Sequence, residues 1–136
     1  MRALAALGGL LALAPLAVLA SFAVRDPPST LMALEARLGQ PMEQRWVPLE
    51  RISPDFARAV ILAEDARFCL HFGVDLAQLR IAWEEMRAGG RVRGASTITM
   101  QVVKNTLLWP DSTYLRKAIE IPLAVLLDLL LSKDRI

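Results

Sequence analysis

From Ala3 to Val24 the chain carries no charged residue, an apolar run of about the length a helix needs to cross the hydrocarbon core of a bilayer. Arg2 precedes it and Arg25 and Asp26 follow it, a weak charge bias that allows a cytoplasmic N-terminus and an exported remainder. Val18-Leu19-Ala20 offers a signal-peptidase site before Ser21. The run is nevertheless longer than a usual signal core, which favours an uncleaved anchor, and Gly8, Gly9 and Pro15 are tolerated within such helices. The expected division is therefore 1–25 as a single-pass anchor or uncleaved signal, 26–45 as a linker and short helix, and 46–136 as one domain outside the cytoplasmic membrane. The hydrophobic share of 54% is too high for an ordinary soluble domain, and its excess sits in the first segment. What remains is roughly 110 residues, enough for one small core. The net charge of +2 decides nothing by itself. A single cysteine, Cys69, excludes an internal disulfide and reads as a buried thiol.

Helices dominate the rest. Pro27 and Pro28 mark the linker, Ser29 or Thr30 can cap a helix running to Leu38, and Gly39 and Pro41 end it. Gln44 to Leu49 reads as extended chain. Ser53, Pro54 and Asp55 supply an N-cap, a first-turn proline and a first-turn acid for the next helix. Its Phe56, Ala59, Val60 and Ala63 repeat at i, i+3, i+4, i+7, which predicts a buried face. Asp75 can cap a further helix whose Leu76, Leu79, Trp83 and Met86 form a stripe expected in the core, and Gly89-Gly90 ends it. No internal repeat or low-complexity tract follows.

Three stretches carry candidate chemistry. In AEDARFCLHFGVD, Ala63 to Asp75, Glu64 lies one turn after Val60 at the margin of the apolar face. A carboxylate half-shielded in that way suits a general base; the alternative is that Glu64 and Asp65 are solvated helix-end charges. In RVRGASTITMQVVKN, Arg91 to Asn105, a glycine-bounded helix start with Ser96 and Thr97 presents free N–H groups and the positive end of a helix dipole. That arrangement suits phosphate, and Lys104 adds a charge further along; the alternative is a capped surface helix beside a solvated basic loop. No Walker spacing is present, so a nucleotide site is not indicated. In YLRKAIE, from Tyr114, Arg116 and Glu120 are an i, i+4 pair with Lys117 beside them. They form either a surface pair worth about 0.3–0.5 kcal/mol or two cations and a second carboxylate of a site. Pro122 should kink this helix or end its first part. The leucines beyond it, interrupted by Asp128, predict burial or contact with lipid.

EDARFCLHFGVD, RGASTITMQVVKN, LRKAIE and SKDRI, in this order, resemble four motifs of the peptidoglycan glycosyltransferases, the family of the monofunctional biosynthetic transglycosylases and of the N-terminal domains of class A penicillin-binding proteins. The likeness runs from about Trp46 to Ile136 and includes the lead-in VPLERISPDFARAVILAED. It implies an all-α, lysozyme-like fold with a small lipid-associated subdomain whose mobile loop includes Arg91 and Arg93. It also implies polymerisation of lipid II into β-1,4 glycan strands at the outer, periplasmic face of the bacterial inner membrane. Undecaprenyl pyrophosphate leaves in that reaction, and the configuration at C1 inverts.

By motif, Glu64 is the implied general base and Glu120 the second essential acid, acting through the pyrophosphate or a divalent metal, Mg or Mn. Lys104, Arg116 and Lys117 are implied around the pyrophosphate. Ser96, Thr97, Gln101 and Asn105 match the GASTITQQxxKN signature, which shapes the donor side and the core beneath it, and Asp65 and His71 complete the substrate set. The implied partners are lipid II, the growing lipid-linked strand and the membrane, with cell-wall synthesis or division proteins as candidates and no nucleic acid. Met100 departs from the signature: a thioether replaces a glutamine and cannot supply an amide's hydrogen bonds. Asp128 stands where a glutamate is more common. The chain stops as the fourth motif begins, so the expectation is a C-terminally truncated domain. Two rivals remain: a lysozyme-type hydrolase or lytic transglycosylase, and a non-catalytic membrane module that binds lipid II or a wall-synthesis partner.

Overall fold

A computed structural model describes residues 16–39, 43, 45–90 and 94–136 of the chain, apart from the side chain of Leu31. Five α-helices account for most of them: α1 (Thr30–Arg37), α2 (Pro54–Glu64), α3 (Leu76–Arg87), α4 (Ile98–Leu107) and α5 (Tyr114–Leu130). Short 3-10 turns occupy Leu49–Arg51 and Phe68–Leu70. No strand occurs among the described residues; one isolated bridge pairs Phe72 with Val74. The all-helical class is thus as expected.

The core forms where α4 packs on α5 and α1 packs on α4. Val74, Met100, Val103, Leu108, Ala124 and Leu127 meet there, joined by Leu19 and Phe22 from the N-terminal segment. Residues 16–21 are helical, and the chain after them is held by Arg135, whose guanidinium donates to the carbonyls of Phe22 (2.5 Å) and Arg25 (2.6 Å) and pairs with Asp26 at 3.0 Å. Among the described residues no helix is long and apolar enough to cross a membrane. The span expected over 3–24 lies for the most part outside them, as do Arg91 and Arg93.

Capping follows the sequence at Ser29 and Asp75. Ser29 caps α1 by accepting from Met32 N, which frees the Thr30 hydroxyl to donate to Asn105 O and Leu108 O and tie α1 to α4. Asp75 caps α3 by accepting from Ala77 N and Gln78 N. Thr97 caps α4 and Thr113 caps α5. Ser53 stands at the N-cap of α2 without a side-chain cap bond, and Pro54 occupies the first turn as expected.

Several expectations are corrected. Neither α2 nor α3 buries a residue: Phe56 is 64% exposed, Val60 41%, Leu76 74% and Trp83 57%, and of the residues expected on the buried faces Leu79 alone is half-buried. Periodicity reports that a helix has an apolar face but not what covers it, and the extensive helix pairs are α4 with α5 and α1 with α4 alone. Cys69 is exposed rather than buried, because it sits on the outside of the Phe68–Leu70 turn while Phe68 points inward. Of the two outcomes expected at Pro122, a kink or an end, the helix does not end there: α5 continues through it to Leu130. The missing N–H costs little there because Ala118, which would have accepted its bond, is exposed to water.

Gly73 is where the 68–75 loop crosses α5. Its φ is +76°, and a Cβ there would stand 2.3 Å from the Ala124 carbonyl oxygen. Gly73→Ala should therefore destabilise the chain by about 2–5 kcal/mol, combining left-handed strain with overpacking against backbone. A lowered urea midpoint at unchanged m-value checks this.

Candidate active site

Glu64 is the last residue of α2, and its carboxylate is exposed. The sequence placed it at the edge of a buried face; instead it stands at the junction of two clefts. One, of about 350 Å³, has Trp46, Val60, Gln101 and Asn105 in its wall. The other, of about 280 Å³, is lined by Arg67, Gly94, Ser96 and Thr97. Glu64 belongs to both walls. Gln101 Nε2 donates to Glu64 Oε2 at 2.8 Å, fixing one oxygen and leaving Oε1 without a partner among the described residues.

Asp65, the next residue, turns inward and is buried with His71. His71 Nε2 lies 3.0 and 3.1 Å from the two carboxylate oxygens, so this nitrogen carries the proton that the acceptor-only carboxylate receives. Asp65 Oδ2 also accepts from Ile98 N at 3.0 Å. This changes the reading of the α4 N-terminus. Ile98 N is taken by Asp65, and Met100 N is taken by the Thr97 hydroxyl. The positive end of the helix is thus already served by an acid, and two of its first three N–H groups are taken. The Thr97 hydroxyl donates onward to the Gly73 carbonyl at 2.5 Å. Asp65, His71 and Thr97 are buried next to Glu64, and Asp65 and Thr97 also border the smaller cleft.

Glu120 is 1% exposed and held on both oxygens, by the Arg116 guanidinium on one and by Lys117 Nζ at 2.7 Å on the other. Arg116 is itself buried and also donates to the Asp111 carbonyl. Lys117 is the accessible member of the group, and its ammonium reaches Ser96 Oγ at 2.9 Å. The expected second acid and cations are thus brought together, with Lys117 and Ser96 facing outward and Arg116 and Glu120 sealed behind. Lys104 is half-buried and Asn105 exposed on α4. Among the described residues no group of three His, Cys, Asp or Glu side chains is placed to hold a metal ion. Both oxygens of Glu120 already face cations, so among the described residues this carboxylate is not placed as a divalent-metal ligand.

Met100 is fully buried in the core and lines neither cleft. The departure from the signature is therefore a packing feature, not a lost substrate contact. Met100→Gln should bury an unpaired amide and cost about 1–3 kcal/mol, read as a lower unfolding temperature with no gain in substrate affinity.

Reasoning from sequence missed Thr99 and Lys133. Asp128 is buried in α5; its Oδ2 accepts from Thr99 Oγ1 at 2.9 Å and from Lys133 Nζ at 2.7 Å. The signal was present: an acid inside a leucine-rich helix face needs a partner.

A family model described as "Transglycosylase" matches residues 31–136. The chain belongs to the transglycosylase family. It is similar to proteins named biosynthetic peptidoglycan transglycosylase: 44% identical to that of Rhodospirillum centenum over all of this chain and 60% of the relative, and 49% identical to that of Brucella suis over 81% of this chain and 49% of the relative. The Nitrobacter winogradskyi protein of the same name is 42% identical over 98% of this chain and 58% of its own length. The chain thus spans about half to three-fifths of the length of these relatives.

Proposed function

We propose that this transglycosylase chain carries the glycosyl-transfer site of a peptidoglycan glycosyltransferase that polymerises lipid II. The observation that carries the reading is the placement of Glu64, an exposed carboxylate oriented by Gln101 at the meeting point of two clefts. Bond formation between two sugars needs a base at the boundary of two binding sites, within hydrogen-bond reach of the attacking hydroxyl.

In this reading Glu64 Oε1 takes the proton from the 4-hydroxyl of the acceptor N-acetylglucosamine as that oxygen attacks C1 of the donor N-acetylmuramic acid. The C1–oxygen bond to pyrophosphate breaks, its electron pair leaves with undecaprenyl pyrophosphate, and one displacement turns the α-linked donor into a β-1,4 bond. The developing phosphate charge falls to Lys117, beside Ser96 in the smaller cleft, and to Lys104. Arg116 and Glu120 act from behind: the carboxylate fixes Lys117, and the guanidinium fixes the carboxylate.

On this reading the chain works at the outer face of the bacterial inner membrane with a lysozyme-like helical fold. Lipid II and the lipid-linked strand are its substrates. A hydrolase would share a helical fold and a glutamate but would have no use for a cationic pair beside the acid. Incubation with purified lipid II in detergent separates the readings. Lipid-linked β-1,4 strands, with one undecaprenyl pyrophosphate released per bond, support the transferase. Cleavage of finished glycan with lipid II untouched supports the hydrolase, and binding without consumption supports the non-catalytic module.

A further inference from the structure

We propose that Lys133 is a positioning residue for the Glu64 carboxylate, acting through a closed ring of polar contacts. Its ammonium donates to the His71 carbonyl at 2.8 Å and to Asp128 Oδ2 at 2.7 Å. That same Asp128 oxygen accepts from Thr99 Oγ1 at 2.9 Å. Thr99 follows Ile98, whose backbone N–H donates to Asp65 Oδ2. Asp65 in turn receives His71 Nε2, and the ring closes on the residue whose carbonyl Lys133 holds.

Four segments meet in it: the end of α2, the 68–72 loop, the first turn of α4, and the end of α5 with the turn after it. Asp65, His71, Thr99 and Asp128 are all buried. Lys133 is the member that reaches solvent; its ammonium lies 4.5 Å from the centroid of the Phe68 ring, an arrangement that favours a cation on the ring face. Without Lys133 the Asp128 carboxylate would be a buried charge with one neutral hydroxyl for company, a costly state.

The ring touches the site on two sides. Asp65 is bonded in sequence to Glu64, and Ile98 lies one helical turn before Gln101, the donor to Glu64. The Asp65–Ile98 contact and the Glu64–Gln101 contact therefore span the same gap between α2 and α4, and the first sets the register of the second. Lys133 lines neither cleft that Glu64 borders, so its part is to hold geometry, not substrate. The inference rests on the reading of Glu64 as the base.

The test is NMR on the full chain, comparing wild type with Lys133→Met, which keeps the aliphatic stem, and Thr99→Val, which removes the ring hydroxyl at nearly constant volume. His71 is the sole histidine, so its imidazole signals report the ring without ambiguity. The Gln101 side-chain amide and the Glu64 carboxylate carbon report the site. Both variants should shift the His71 Nε2 signal, shift the Glu64 carboxylate, and speed Gln101 side-chain amide exchange about tenfold, while α1 amides keep their protection. If Lys133→Met unfolds, Thr99→Val decides alone. Unchanged Gln101 and Glu64 signals in a folded variant, or a response to Lys133→Met that Thr99→Val does not share, overturn the inference. Because no turnover is measured, this failure is separate from that of the proposed reaction, which falls if Glu64→Gln still polymerises lipid II.

Discussion

Glu120→Ala is expected to destabilise the protein by about 3–5 kcal/mol, the range seen when one partner of a buried ion pair is removed and the other charge is left behind. The loss is large because Glu120 is sealed from solvent and Arg116, its partner one turn earlier, is buried with it. Lys117 is about one-third exposed and can rehydrate, so the cost falls mainly on the guanidinium. Against a typical total stability of about 5–15 kcal/mol, such a loss should lower the unfolding temperature by more than about 10 °C. Thermal unfolding followed by circular dichroism measures it. An acid that acted by touching substrate would behave differently: its removal would leave the unfolding temperature in place and lower turnover alone.

The same cluster shows what a sequence can and cannot convey. The spacing of Arg116, Lys117 and Glu120 on one helix predicts that they meet, and they do. It cannot tell an exposed pair worth a few tenths of a kcal/mol from a sealed one, because burial is set by what packs above the helix. The caps at Ser29 and Asp75 were legible for the opposite reason: each acts within three residues of itself, so the local pattern contains the whole interaction. The apolar faces of α2 and α3 were misread because amphipathic spacing says nothing of a partner. At Met100 the motif shows only that an amide's hydrogen bonds are absent, and it takes packing to show that the side chain lies in the core. The pairing of Asp65 with Ile98 N joins residues 33 positions apart and has no sequence signature.

Glu64→Gln is expected to lower polymerisation by a factor of about 10²–10⁴, the usual contribution of a positioned general base, with little change in stability because the side chain is exposed. The amide is nearly isosteric and can still meet Gln101, so the clefts and lipid II binding should persist. Only the acceptor for the hydroxyl proton is lost. The decisive measurement is therefore the rate of strand formation from fluorescent lipid II by wild type and Glu64→Gln at matched lipid II occupancy. The account predicts strands from the wild type and a loss of at least about a hundredfold in the variant at equal binding. Strand formation by Glu64→Gln within a few-fold of wild type would contradict it.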